Sequence, residues 1–114
     1  MASSLKYMKK NEKSAIELFR DAINKNLGKD LISMIAFGSK VRGDYNESSD
    51  IDILIIVKDR SLNVMDKIAE ITSALNIEYN ISIAPVVFSE KEYNRNKVMN
   101  TSFTLSISNE GLSL

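Results

Sequence analysis

Hydrophobic positions recur along this chain with two different periods, and the switches between them mark out the elements. Ile16, Phe19, Ile23 and Leu27 are spaced by three and four residues, the repeat of one helix face, which predicts a helix from about Ser4 to Leu27 with Gly28 as its stop. The charges on its other side, Lys9, Lys10, Lys13 and Arg20, are either a solvated face or a partner-binding surface. A strand follows in LISMIAF, beginning at Leu31. A second apolar run, Ile51 and Ile53 to Val57, has the length and β-branching of a buried strand. Val64, Ile68, Ile71 and Leu75 then repeat at helical spacing, predicting a helix from about Leu62 to Leu75. Ile77 to Val87 reads as a third strand, with Pro85 placed at a sheet edge or bulge because it has no N–H to donate. Ser89 followed by Glu92 forms a capping box for a short helix to about Lys97, and a last helix spans about Thr101 to Asn109, ending before Gly111.

The order is helix, strand, helical turn, strand, helix, strand, helix, helix. Such an order describes an α/β fold with a small mixed sheet packed by helices, although the pattern does not fix strand order. At 114 residues the chain forms one domain, 1–114, with enough sequence for a single core. Lys plus Arg equal Asp plus Glu at 15 each, and this balance argues against a broad grip on nucleic acid, whose non-specific affinity rests on neutralising phosphates. The chain has no cysteine and no histidine. Disulfides and thiolate chemistry are therefore excluded, and acid-base work falls to carboxylates, Lys, Tyr or the substrate. The basic N-terminal stretch lacks the apolar core of a signal peptide and no run is long enough to span a membrane, so a cytoplasmic protein with no membrane partner is expected.

The candidate chemistry lies between the first two strands. Gly38-Ser39 is followed by ten residues and then Asp50-Ile51-Asp52. A glycine after a strand lets a ligand approach the backbone, and a serine opening a helical turn adds a hydroxyl to free amides that suit a phosphate. Lys40 and Arg42 add positive charge beside it. Residues 50 and 52 share a strand face, so both carboxylates point one way, and magnesium is commonly held by one or two carboxylates together with substrate phosphates. A pair of such ions is within reach of two aspartates. Each motif alone is most simply a loop or a solvated turn. Their joint spacing is what points to a magnesium-bound nucleoside triphosphate. Arg42 has two readings, a phosphate contact or a brace that pairs with Asp44 or Glu47, and Gly43 suits a positive φ.

The stretch GSKVRGDYNESSDID resembles the signature of the DNA polymerase β-like nucleotidyltransferase superfamily, in its smallest branch, the minimal nucleotidyltransferases found as antitoxins beside HEPN-domain toxins. IAPVVFSEKEY and ISNEGLSL are less specific points of similarity. The resemblance implies a short twisted sheet with the Gly-Ser turn and the Asp pair facing one cleft. It implies transfer of AMP from ATP with release of pyrophosphate, two Mg2+ ions, and a tyrosine acceptor on a partner HEPN toxin, within a hetero-oligomer or homodimer. Gly38, Ser39, Lys40 and Arg42 would bind nucleotide; Asp50 and Asp52 would be catalytic and hold metal. One departure stands out, because complete members place a third carboxylate on the following strand, where this chain aligns Ser82. Glu78, sharing its parity, and the loop carboxylates Asp44 and Glu47 are the substitutes on offer. The alternative is a module that keeps the fold and neutralises a partner by binding alone.

Overall fold

The computed structural model describes residues 5–44 and 49–114. Eight of its regular elements serve the argument: α1 (Lys10–Leu27), β1 (Leu31–Phe37), the single turn α2 (Ser39–Arg42), β2 (Ile51–Val57), α3 (Leu62–Tyr79), β3 (Ile83–Ser89), α4 (Glu90–Val98) and α5 (Ser102–Glu110). A two-residue strand, β4 (Leu112–Ser113), completes a four-stranded sheet of order β3-β2-β1-β4. β1 runs antiparallel to β2 and β4, whereas β2 and β3 are parallel, so the sheet is mixed as expected.

The period of two along β2 divides the core. Ile51, Ile53, Ile55 and Val57 enter one cluster with Ile16, Phe19 and Ile23 of α1 and Val64 and Ile68 of α3. Leu54 and Ile56 face the other way, against Ile107 of α5 and the half-buried rings of Phe37, Phe88, Tyr93 and Phe103. A strand buried on both faces reads as a continuous apolar run, which is why β2 shows no alternation in sequence.

Three boundaries differ from expectation. α1 begins at Lys10 rather than Ser4, where the Glu12 carboxylate turns back to accept the Lys9 backbone N–H at 2.8 Å, and Leu5 and Met8 are buried in the core instead. α3 continues beyond Leu75 to Tyr79 and is closed by Asn80 in the left-handed conformation, φ 51°. The segment from Ile77 is thus helical, and β3 starts only at Ile83. Asn76 stitches the two together by accepting the Ile83 N–H at 2.8 Å and donating to the Ile83 carbonyl at 3.1 Å. β4 has no counterpart in the sequence reading. Pro85 does lie on an edge strand, and the Ser89–Glu92 capping box forms, with Glu92 N–H to Ser89 Oγ at 3.1 Å and Ser89 N–H to Glu92 Oε1 at 2.9 Å.

Candidate nucleotide and metal site

β1 ends beside the start of β2, with Phe37 opposite Asp52 in the register. The chain therefore turns at Gly38 directly next to the Asp52 side chain. Gly38 adopts φ 85°, and a Cβ there would collide with the Asp52 carboxylate, so both backbone angle and clearance demand glycine. The amides of Val41 and Arg42 both donate to the Gly38 carbonyl at 3.1 Å, and Gly43 closes the turn at φ 90°, the positive angle expected of it. Ser39 lines a cleft of about 410 Å³. Gly38, Ser39, Arg42 and Asp52 form one side, and α5 supplies Ser102, Phe103, Ser106 and Glu110.

Asp52 is half-buried at the end of the sheet. Loss of solvent pushes its carboxyl above the ordinary aspartate range, the nearby charge of Asp50 adds to this, and Arg42 opposes it. Asp50 thus lies close enough for its charge to act on Asp52, and of the two it is Asp52 that lines the cleft. Asp50, just before β2, accepts a hydrogen bond from Ser82 Oγ at 2.6 Å, while the Ile51 N–H donates to the Ser82 carbonyl at 2.8 Å. Ser82 thus braces Asp50.

Glu78 does not stand in for a third carboxylate from a strand, because it lies in the last turn of α3. The β3 residue in register with Asp52 is Ala84. Among the described residues no group of three or more acidic side chains converges as a metal site. The donor set still suits magnesium. A hard carboxylate on the cleft wall, Asp52, with Asp50 two residues before it, matches a cation that keeps waters and takes substrate oxygens for its remaining positions.

The two basic residues part company. Lys40, expected beside the phosphates, is instead buried, 2% exposed, with its Nζ 2.7 Å from Glu12 Oε2 at the start of α1. That placement is a correction, since a single helical turn directs neighbouring side chains to different faces and Lys40 takes the inward one. Arg42 lines the cleft and is also braced: Nε donates to both Asp44 oxygens at 3.1 and 3.2 Å, and Nη1 to Glu110 Oε1 at 2.8 Å. These partners hold the guanidinium more firmly charged than usual, Asp44 first and Glu110 second. Glu47 lies outside the described residues.

Glu12 and Glu110 are absent from the sequence reading, although each left a trace. Glu12 precedes Ile16 by four and so falls on the apolar face of α1, an unusual place for a carboxylate without a partner. Ser102, Ser106 and Glu110 repeat every four residues and form a polar stripe on α5.

Comparison with known proteins agrees with this geometry. A model described as a nucleotidyltransferase domain matches residues 16–105. A Methanocaldococcus jannaschii protein named "Putative protein adenylyltransferase MJ0141" is 37% identical over 98 residues, covering 85% of this chain and 92% of its own. A second from that organism, "Putative protein adenylyltransferase MJ0604", is 38% identical over 101 residues, covering 89% and 95%. Among solved structures, a mutant MntA-HpeT toxin-antitoxin superposes with a TM-score of 0.54 at 25% identity, over 93% of this chain and 72% of that one. A spectinomycin adenyltransferase, AAD(9) from Enterococcus faecialis, solved with ATP and spectinomycin, gives 0.54 at 23% identity over 70% of this chain. That likeness is one of fold, and the match covers only 35% of the larger enzyme. With its Gly-Ser turn set against the aspartate strand and most of its length matched, the chain belongs to the nucleotidyltransferase domain family.

Proposed function

We propose that the protein transfers AMP from magnesium-bound ATP to a hydroxyl of a partner protein, a tyrosine on a HEPN-type toxin, and acts as the antitoxin of the pair in the cytoplasm. The observation that carries this reading is the contact of Gly38 with Asp52, which puts a carboxylate of the acidic pair on the wall of the cleft beside the Gly-Ser turn. The adenylyltransferase names of the Methanocaldococcus relatives and the toxin-antitoxin likeness support the chemistry and the partner class. No helix among the described residues is long and apolar enough to cross a membrane.

In this reading Ser39 and the Gly38-Ser39 backbone bind the β and γ phosphates, and Asp50 and Asp52 hold one or two Mg2+ ions. Bound magnesium supplies neutralisation of the polyphosphate charge. Arg42 offsets the charge that develops as pyrophosphate leaves, where positioning and electrostatics matter more than covalent help. The acceptor oxygen bonds to the α-phosphorus as its proton passes to solvent, and the bond from that phosphorus to the oxygen bridging to the β-phosphate breaks, releasing pyrophosphate. Ser82 keeps Asp50 oriented but supplies no base, since a hydroxyl does not act as one near neutral pH.

That serine favours a second reading, a module that silences its partner by contact without transfer. The two separate in one assay with α-labelled ATP, magnesium and the partner. Transfer should label the partner and fall by about 10²- to 10³-fold in Asp50→Asn and Asp52→Asn. Silencing of the partner by the doubly substituted protein without ATP, and without label, would select the binder.

A further inference from the structure

Glu110 has no role in the reading above, yet it is tied to the cleft at both ends. Its carboxylate, one-quarter exposed, takes the Arg42 Nη1 hydrogen bond across 68 residues of sequence. Its backbone closes α5 against the sheet. The Gly111 N–H donates to the Ile107 carbonyl at 2.9 Å, and a Cβ at position 111 would meet that oxygen at 2.5 Å and Ile35 Cγ2 at 2.7 Å, so the chain presses directly on β1. Beyond it, Leu112 pairs with Ala36, Ser113 with Ile35, and the Leu114 N–H reaches the Met34 carbonyl at 2.9 Å. β1 therefore carries both members of the ion pair: Arg42 through the Gly-Ser turn that ends it, and Glu110 through the strand laid along its edge.

We infer that Glu110 is a positioning residue for Arg42, using the C-terminal strand as its anchor to hold the guanidinium ordered in the cleft before the phosphates arrive. Arg42 is 42% exposed and has a long, mobile stem, so a free side chain would lose rotamer freedom on meeting a phosphate. Asp44 fixes Nε and Glu110 fixes one Nη1 donor. A guanidinium has five N–H donors, and among the described residues only these two acids engage those of Arg42, leaving donors for a ligand. The carboxylate of Glu110 also faces the incoming phosphates with like charge. Geometry and charge therefore predict opposite effects for its removal, and the two can be pulled apart.

The inference rests on the nucleotide reading of the cleft, and the test separates the two. Calorimetric titration of ATP with magnesium is run on the intact protein, Glu110→Ala, Glu110→Gln, Arg42→Ala and the Arg42→Ala, Glu110→Ala double variant, with thermal melts as a fold control. Glu110→Ala should weaken binding about tenfold, the size of loss seen when a partner that orients a ligand-binding group is removed. Glu110→Gln should bind at least as tightly as the intact protein, because it keeps the acceptor and sheds the charge. In the Arg42→Ala background, Glu110→Ala should change affinity by less than about twofold, an outcome no general loss of structure would give. If Glu110→Ala fails to fold, Glu110→Asp, with its shortened reach, should show the same loss. Unchanged or tighter binding by Glu110→Ala, or an equal loss without Arg42, would overturn the positioning role. An intact protein that binds no magnesium-ATP would instead overturn the reading of the cleft, and the inference with it.

Discussion

The two faces of the sheet are filled with different materials. Behind it, α1 and α3 cover the odd residues of β2 with aliphatic side chains and Phe19, all nearly inaccessible. In front, Leu54 and Ile56 meet a thinner layer whose aromatic members remain partly exposed: Phe37 stands edge-on to Phe103, with ring centres 5.4 Å apart, and Phe88 lies 5.4 Å from Phe103. The next residue along that front face is Asp52, where apolar packing gives way to the cleft. The difference shows how one strand serves two ends. Its odd positions hold the fold rigid, and its even positions run from core to chemistry.

The largest losses are expected from substitutions behind the sheet. Phe19→Ala should cost about 3 to 5 kcal/mol in denaturant unfolding, while Phe88→Ala in the thinner layer should cost about half as much. Equal losses would mean that the two layers share one core. Lys40→Ala belongs with the first group, at about 3 to 5 kcal/mol, because it strands Glu12 as a buried charge without this partner. Replacing both residues with apolar ones should recover most of that loss.

A smaller effect, of opposite sign, is expected at the front. The Asp52 carboxyl is raised in the folded state, so its ionisation weakens the fold as pH climbs through the ordinary value of 3.8 and beyond. Asp52→Asn should therefore raise the melting temperature at pH 7 even as transfer falls, and the gain should disappear well below pH 3.8, where the acid is protonated in both states. A lower melting temperature at neutral pH would contradict a site held against the fold's preference.

The smallest effect concerns Glu92. Its carboxyl is lowered to about 2 by the Ser89 backbone N–H, then by Arg60 and the Ser89 hydroxyl. Its contribution is complete above the ordinary value of 4.5 and is lost as pH falls to about 2. Acid titration of Glu92→Gln should show a flatter decline over that interval than the intact protein.

Much of this arrangement is legible in the sequence because it depends on local pattern. β2 announces itself by a β-branched run, α1 by its repeat at three and four, and the Gly-Ser and Asp-x-Asp spacing marks the elements that the fold brings together. What the sequence conceals is non-local. Ile77 looks like a strand residue by its branching, yet α3 carries it 82% exposed, because Asn80 can end the helix and Asn76 can tie it to β3. Lys40 looks like a phosphate ligand, and only the three-dimensional placement of Glu12, 28 residues earlier, turns it inward. Glu110 enters the cleft because α5 packs on the front of the sheet and β4, docked on β1, fixes its end, a pairing too short to leave a periodic signal.

The affinity of the protein for ATP, with magnesium and with the metal chelated, measured alongside the Asp50→Asn, Asp52→Asn double variant, bears on the site without the partner. Binding should require both the cation and the two carboxylates. Equal affinity with and without magnesium, or an unaltered affinity in the double variant, would contradict it.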